Sequence, residues 1–182
     1  MKKIFLTLII IFLNTKTFAS IKINIIQNLK NIENVTFNFE QNINGKIESG
    51  SCTIEYPKKI FCKYNLENQK ILVSNGKILV IKTINGFYQY PLKKTPMNFI
   101  LNKEFLLEKI SNSNIDIVQN KFINLNFIEN ENEINIFFDK KSYNLIGWQI
   151  LDIYQNLSIT YLDSIIKNQK IKKNTFKLPN QN

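Results

Sequence analysis

The chain has 182 residues, 44% of them hydrophobic, which is enough for one domain with a real core and too few for two. All 24 basic residues are Lys, set against 14 acidic ones, and the sequence contains neither His nor Arg. The commonest metal ligand and the usual neutral-pH general base are therefore missing, and two Cys alone do not make a four-ligand zinc site.

Lys2-Lys3 precede the apolar run Ile4 to Leu13, polar Asn14 to Thr17, and Phe18-Ala19-Ser20. A charged head, a short apolar stretch and small residues at Thr17 and Ala19 predict a secretory signal peptide over residues 1–19, cleaved after Ala19. The run is too short to serve as a membrane-spanning anchor. No Cys stands near the cleavage point, so no lipid is expected on the mature N-terminus. Cleavage removes Lys2, Lys3 and Lys16 and lowers the formal charge from +10 to +7. Export argues against nucleic acid as a partner. Lys alternates with Asn rather than clustering, so a solvated basic surface is expected over the alternative of a membrane-facing patch.

Ile25, Ile26, Leu29 and Ile32 are spaced for one face of a short helix within Lys22 to Asn34. From Val35 the period changes to two: Val35, Phe37, Phe39, Gln41 and Ile43 alternate with Thr36, Asn38, Glu40 and Asn42. Strands follow at Ile47 to Tyr56, Lys59 to Tyr64, Lys70 to Ser74, Lys77 to Ile84 and Phe87 to Tyr90, with Asn75-Gly76 and Asn85-Gly86 as hairpin turns. Pro96 before Met97, Phe99, Ile100 and Leu101 predicts one or two short helices. Strands resume at Ile115 to Gln119, Phe122 to Glu129, Glu133 to Asp139, Leu145 to Asp152 and Leu157 to Asp163. Phe176-Lys177-Leu178-Pro179 reads as a final clip against the sheet.

The pattern predicts a mainly β protein of about eleven short antiparallel strands, and a sheet of that many strands curls. The predicted inward face carries Phe37, Phe39, Ile54, Ile60, Ile134, Ile136, Phe138, Ile146, Trp148, Ile150, Ile159 and Tyr161. Such a face encloses either a filled core or an apolar pocket, and close packing of interiors favours the filled core. Glu40, Glu55, Asp139 and Asp152 are the carboxylates an enzyme would use, but their strand phase turns most of them outward among Lys and Asn. No catalytic site and no metal site is expected.

Five short segments occur in an order and spacing that resemble one family. They are Phe37-Asn38-Phe39-Glu40-Gln41, Gly50 through Tyr64 around a proline turn, Val73-Ser74-Asn75-Gly76-Lys77, Pro91-Leu92 with Thr95 through Leu101, and Trp148-Gln149-Ile150-Leu151-Asp152. Together they resemble LolA, the periplasmic carrier of outer-membrane lipoproteins, over nearly all of residues 20–182. The resemblance implies an incomplete, open antiparallel β-barrel with an N-terminal helix and short lid helices over an apolar cavity. It implies a cavity that holds acyl chains and a lid made of Met97, Phe99, Ile100 and Leu101; the alternative for these four is an ordinary helix packed as core. Acylated lipoproteins would be the cargo, an inner-membrane ABC transporter the donor and an outer-membrane receptor the acceptor. The expected protein is a periplasmic monomer without cofactor or enzymatic activity. The alternative is a LolA-like lipid-sensing or adaptor domain that binds without shuttling.

One departure stands out. The family's proline-turn motif places an Arg before the proline, where it is thought to hold the lid, and here that position is Tyr56 before Pro57. Tyr has one O–H donor where Arg has five in a fork. Tyr56 is then either a weaker gate, aided by Lys58 or Lys59, or a strand-end aromatic. Cys52 and Cys62 flank the same turn, opposite each other if it centres on Pro57, and form either a disulfide or two buried thiols.

Overall fold

Period-two alternation interrupted by turn residues folds the described residues into eleven strands. They are β1 (Asn34–Ile43), β2 (Lys46–Glu55), β3 (Lys59–Tyr64), β4 (Ile71–Asn75), β5 (Ile78–Lys82), β6 (Phe87–Pro91), β7 (Ile115–Val118), β8 (Phe122–Glu129), β9 (Asn132–Asp139), β10 (Leu145–Leu151) and β11 (Leu157–Lys167). The computed structural model describes residues 18–129 and 131–181. The expected signal peptide lies outside the described residues over 1–17. Helix α1 is described over residues 18–30, α2 spans Met97–Leu101 and α3 spans Lys103–Asn112. A single 3-10 turn, Leu92–Lys94, precedes α2.

The strands form one antiparallel sheet in the order β6-β5-β4-β3-β2-β1-β11-β10-β9-β8-β7. The first and last strands pair in the middle, and β6 and β7 are the two edges, so the barrel is open. This order explains the helices. The chain leaves one edge at Pro91 and must reach the opposite edge at Ile115, so the connection crosses the concave side of the curled sheet. The curl also brings Tyr90 on β6 within 3.4 Å, hydroxyl to hydroxyl, of Tyr154 in the β10–β11 turn.

The concave face is partly filled by helices. Ile21, Ile25, Leu29 and Ile32 from the α1 segment pack into one cluster with Leu106 and Ile110 of α3 and with Ile54, Ile136 and Phe138 of the sheet. Asn28 of α1 donates to Tyr143 O at 2.7 Å and accepts from Lys167 Nζ at 2.7 Å, tying the helix to the β9–β10 turn and to β11. Two glycines make close approaches possible. Gly50 stands between Phe39 and Tyr64, whose rings meet edge to face at 5.0 Å; a Cβ there would lie 2.2 Å from Lys63 O. Gly147 plays the same part outside, between Phe137 and Tyr161, whose rings stack at 6.4 Å.

That stack corrects one expectation. Ile159 and Tyr161 do not face inward: β11 pairs with β1 as Gln41↔Thr160 and Ile43↔Ser158, which turns Ser158, Thr160 and Leu162 to the concave side. Tyr161 is 55% exposed. The alternation misleads here because this strand is apolar on its outer face and polar where it meets the interior. The C-terminal segment lies on the outer face, where Val73 and Val80 are buried although their neighbours Leu72 and Leu79 face the interior. Pro179 borders a surface groove with Lys63, Ile71, Lys82 and Phe87, and Lys82 Nζ donates to Asn180 O at 2.7 Å.

Candidate binding cavity

Where the helices stop, the concave side stays open as a cavity of about 270 Å³. Sheet register orders its wall into cross-strand rows. Outward of Ile60, one row runs Leu72–Cys62–Cys52–Phe37, and the next runs Tyr64–Gly50–Phe39. Toward the open end come Glu48–Gln41–Thr160–Trp148 and then Lys46–Ile43–Ser158–Ile150. Ile60, Leu79 and Ile81 complete the apolar wall, and Pro96 and Met97 form its roof. The floor is therefore hydrocarbon, rings and sulfur, and the mouth is polar. Cys52 and Cys62 are directly opposed on β2 and β3 and joined by a disulfide, with S–S 2.00 Å and sequence separation 10.

At the mouth, Glu48 is 4% exposed yet ionised. Burial alone would raise its pKa. Hydrogen bonds and charge from Lys70 at 2.6 Å and Lys46 at 3.0 Å outweigh that and hold the carboxyl below its ordinary value. Lys70 Nζ also sits 4.1 Å from the Tyr64 ring centroid. Burial, followed by the charge of Glu48, pushes the Tyr64 hydroxyl well above the ordinary tyrosine value. The β10–β11 turn hangs over the opening with Ile153 and Tyr154. Asp152 shapes this turn by accepting from Tyr154 N at 2.8 Å and Asn156 N at 2.9 Å. The hydrogen bond with Tyr90, then burial, pushes Tyr154 up to about 12.

The roof is held by main-chain bonds. Lys58 N donates to Leu101 O at 2.9 Å, joining the β2–β3 turn to the end of α2, and Ser74 Oγ donates to Lys58 O at 3.0 Å. Tyr56 takes part through its ring. Lys103 Nζ lies 5.5 Å from the ring centroid and donates to Ile32 O at 2.9 Å, so one Lys connects α3, the end of the α1 segment and the turn. No hydrogen bond of the Tyr56 hydroxyl is found among the described residues.

Of the wall residues expected from sequence, Phe37, Phe39, Ile60, Trp148 and Ile150 line the cavity. Ile54, Ile136 and Phe138 are buried beneath the helices, because those helices fill that half of the interior, and Ile159 and Tyr161 lie outside. Of the four lid residues only Met97 reaches the cavity. Ile100 and Leu101 are fully buried core, and the Phe99 ring packs at a tilt against Phe105, centroids 5.4 Å apart. Sequence reasoning missed Gln41, Glu48, Lys70, Ser158 and Thr160. Glu48 was legible in part, as an acidic residue on the apolar phase of β2. The expected carboxylates do not converge: Glu40 is exposed, Glu55 pairs with Lys59 at 2.5 Å, and Asp139 and Asp152 accept bonds within their own turns. Among the described residues there is no cluster of metal-ligating side chains, and no helix is long and apolar enough to cross a membrane.

An open, curled antiparallel sheet with helices over an apolar hollow defines a container fold. The family described as outer membrane lipoprotein carrier protein LolA matches residues 30–179, and the chain belongs to that family. No curated protein sequence matches it. Among solved structures, it is similar to an uncharacterized conserved protein from Thermus thermophilus, with TM-score 0.54, 6% identity, and coverage of 90% of this chain and 94% of that one. It is also similar to lipoprotein LppX from Mycobacterium tuberculosis, with TM-score 0.50, 9% identity, and coverage of 86% and 99%. At these identities the likeness concerns the fold.

Proposed function

We propose that this protein binds the acyl chains of lipoproteins in its cavity and carries them through the cell envelope, from the inner membrane to the outer. One observation carries the reading: an apolar hollow of about 270 Å³, sealed at the floor by Phe37, Leu72 and the disulfide, that the protein's own side chains leave unfilled. Membership of the LolA family and the secretory pattern of residues 1–19 support an exported carrier. Exposing a ~16-carbon chain to water costs on the order of 12 kcal/mol, so such cargo needs cover in transit. Release requires the roof to move at Pro96 and Met97, at the start of a helix only five residues long, while its buried end, Ile100 and Leu101, stays packed. A releasing transporter on one side and a receptor on the other are the partners this role requires.

Mass spectrometry of lipid co-purified with the exported protein tests binding. Transfer of a labelled lipoprotein between inner- and outer-membrane vesicles tests carriage. Loss of both refutes the reading, while retained lipid without transfer would identify a lipid-binding envelope adaptor.

A further inference from the structure

The following rests on the acyl-binding reading above. A container for hydrocarbon has no need of polar wall residues, yet two adjacent rows at the mouth carry them. Gln41 Nε2 donates to Ser158 Oγ at 2.6 Å, and Ser158 is 1% exposed. Its neighbour two residues along β11, Thr160, is 3% exposed, and its hydroxyl oxygen has no partner. Among the described residues the only other such side-chain atom is Asn124 Oδ1, which belongs to the Asn ladder with Asn126 and Asn135 away from the cavity. A buried hydroxyl left unpaired is disfavoured; this oxygen is closed off as the side chain stands, and a turn about χ1 of Thr160, which lines the cavity, would bring it to a partner that arrives with the ligand.

Charge at the mouth decides the chemistry of that partner. Lys46, Lys70, Glu48 and Asp152 all border the cavity. The two Glu48 oxygens are taken by Lys46 and Lys70, and the Asp152 oxygens by Tyr154 N, Asn156 N and Asn156 Nδ2. The positive and negative charges balance, and Lys70, the cation nearer the floor, is already committed to Glu48 and the Tyr64 ring. An anionic headgroup drawn into this row would lose its water beside an ionised carboxylate without gaining a free cation. An uncharged acceptor meets no such obstacle. Ser158 accepts from Gln41 and keeps its own O–H to give, as does Thr160.

We propose that Thr160 and Ser158 form a subsite for the carbonyl of an uncharged acyl ester, with the chain running inward past Trp148 and Phe39. The cavity then selects acyl esters over free fatty-acid anions of equal length. The same carbonyl occurs in a free glyceride and in a diacylglyceryl-modified polypeptide, and both belong in the test.

The experiment titrates the exported protein with 1-decanoylglycerol, with decanoate at mildly alkaline pH, and with a synthetic diacylglyceryl-cysteine peptide. Wild type is expected to bind the glyceride at least about tenfold more tightly than decanoate. Thr160→Val keeps the shape, removes the unpaired hydroxyl, and is expected to fold at least as stably as wild type. It should weaken glyceride binding about fivefold and leave decanoate binding unchanged. A parallel loss for the lipopeptide assigns the subsite to protein-linked acyl esters, and a loss confined to the glyceride assigns it to free lipid. Equal wild-type affinity for ester and anion, or equal weakening of both by Thr160→Val, overturns the ester subsite while leaving the acyl cavity standing. Failure of wild type to bind any of the three overturns both. Ser158→Ala gives a second reading: it should weaken the same ester probes and spare decanoate.

Discussion

Chain length is the most direct measure of what the cavity does. An engineered hollow of about 150 Å³ holds one benzene, which sets roughly 25 Å³ per carbon, so 270 Å³ accommodates roughly ten to eleven carbons. Each methylene moved from water into such a site contributes about 0.8 kcal/mol, or about fourfold in affinity. From hexanoyl to decanoyl glycerol the gain is therefore about 3 kcal/mol, roughly two-hundredfold. Beyond that length the slope should flatten unless Met97 and the roof move. Leu79→Phe, at a wall position 1% exposed, adds roughly three carbons of bulk and should shift the break about three carbons shorter. Trp148 is the only Trp in the chain and lines the cavity, so its fluorescence reports occupancy directly. Calorimetry should add a negative heat-capacity change. Affinity independent of chain length, or a Leu79→Phe profile identical to wild type, would refute the cavity as the acyl site.

Three further outcomes follow from the geometry. Replacing both Cys52 and Cys62 by Ala opens a loop of separation 10 and should cost about 3 kcal/mol, lowering the thermal midpoint by roughly 6–12 °C, read by circular dichroism with reductant as a parallel arm. Glu48 is held below its ordinary pKa in the fold, so its stabilising effect is present above about pH 4.5 and is lost as pH falls through the lower folded value. The stability gap between wild type and Glu48→Gln, about 2 kcal/mol at neutral pH, should then close on acidification; a gap that widens in acid contradicts the assignment. Lys103→Met removes the bond to Ile32 O and the contact with the Tyr56 ring, and should speed hydrogen exchange at the Lys58 amide. Tyr56→Phe, which keeps the ring, should leave that exchange rate within a factor of about two, whereas a gating role for the hydroxyl requires a larger change.

The strands were legible because period two and turn chemistry are local properties. Lys59–Tyr64 and Phe122–Glu129 match their expected limits, and Asn75-Gly76 turns between β4 and β5 as Asn-Gly should. The helix expected within Lys22 to Asn34, described over 18–30, and the short helices after Pro96 were visible for the same reason. The phase of β11 was not, because Ile159 and Tyr161 on one side compete with Leu162 on the other, and hydropathy alone ranks the wrong face first.

What the chain determined by itself is the set of strands, the hairpin turns that join them, and an interior rich in Phe and Ile. Only tertiary structure decided which of those residues meet empty space. Pairing of β1 with β11, more than a hundred residues apart in sequence, set Thr160 and Ser158 into the wall. The crossing from β6 to β7 laid α2 and α3 over the sheet, burying Ile100 and Leu101 and leaving Met97 at the roof. A hydrophobic pattern records which side chains avoid water, but whether protein atoms or a vacancy lies opposite them depends on elements that arrive from elsewhere in the chain.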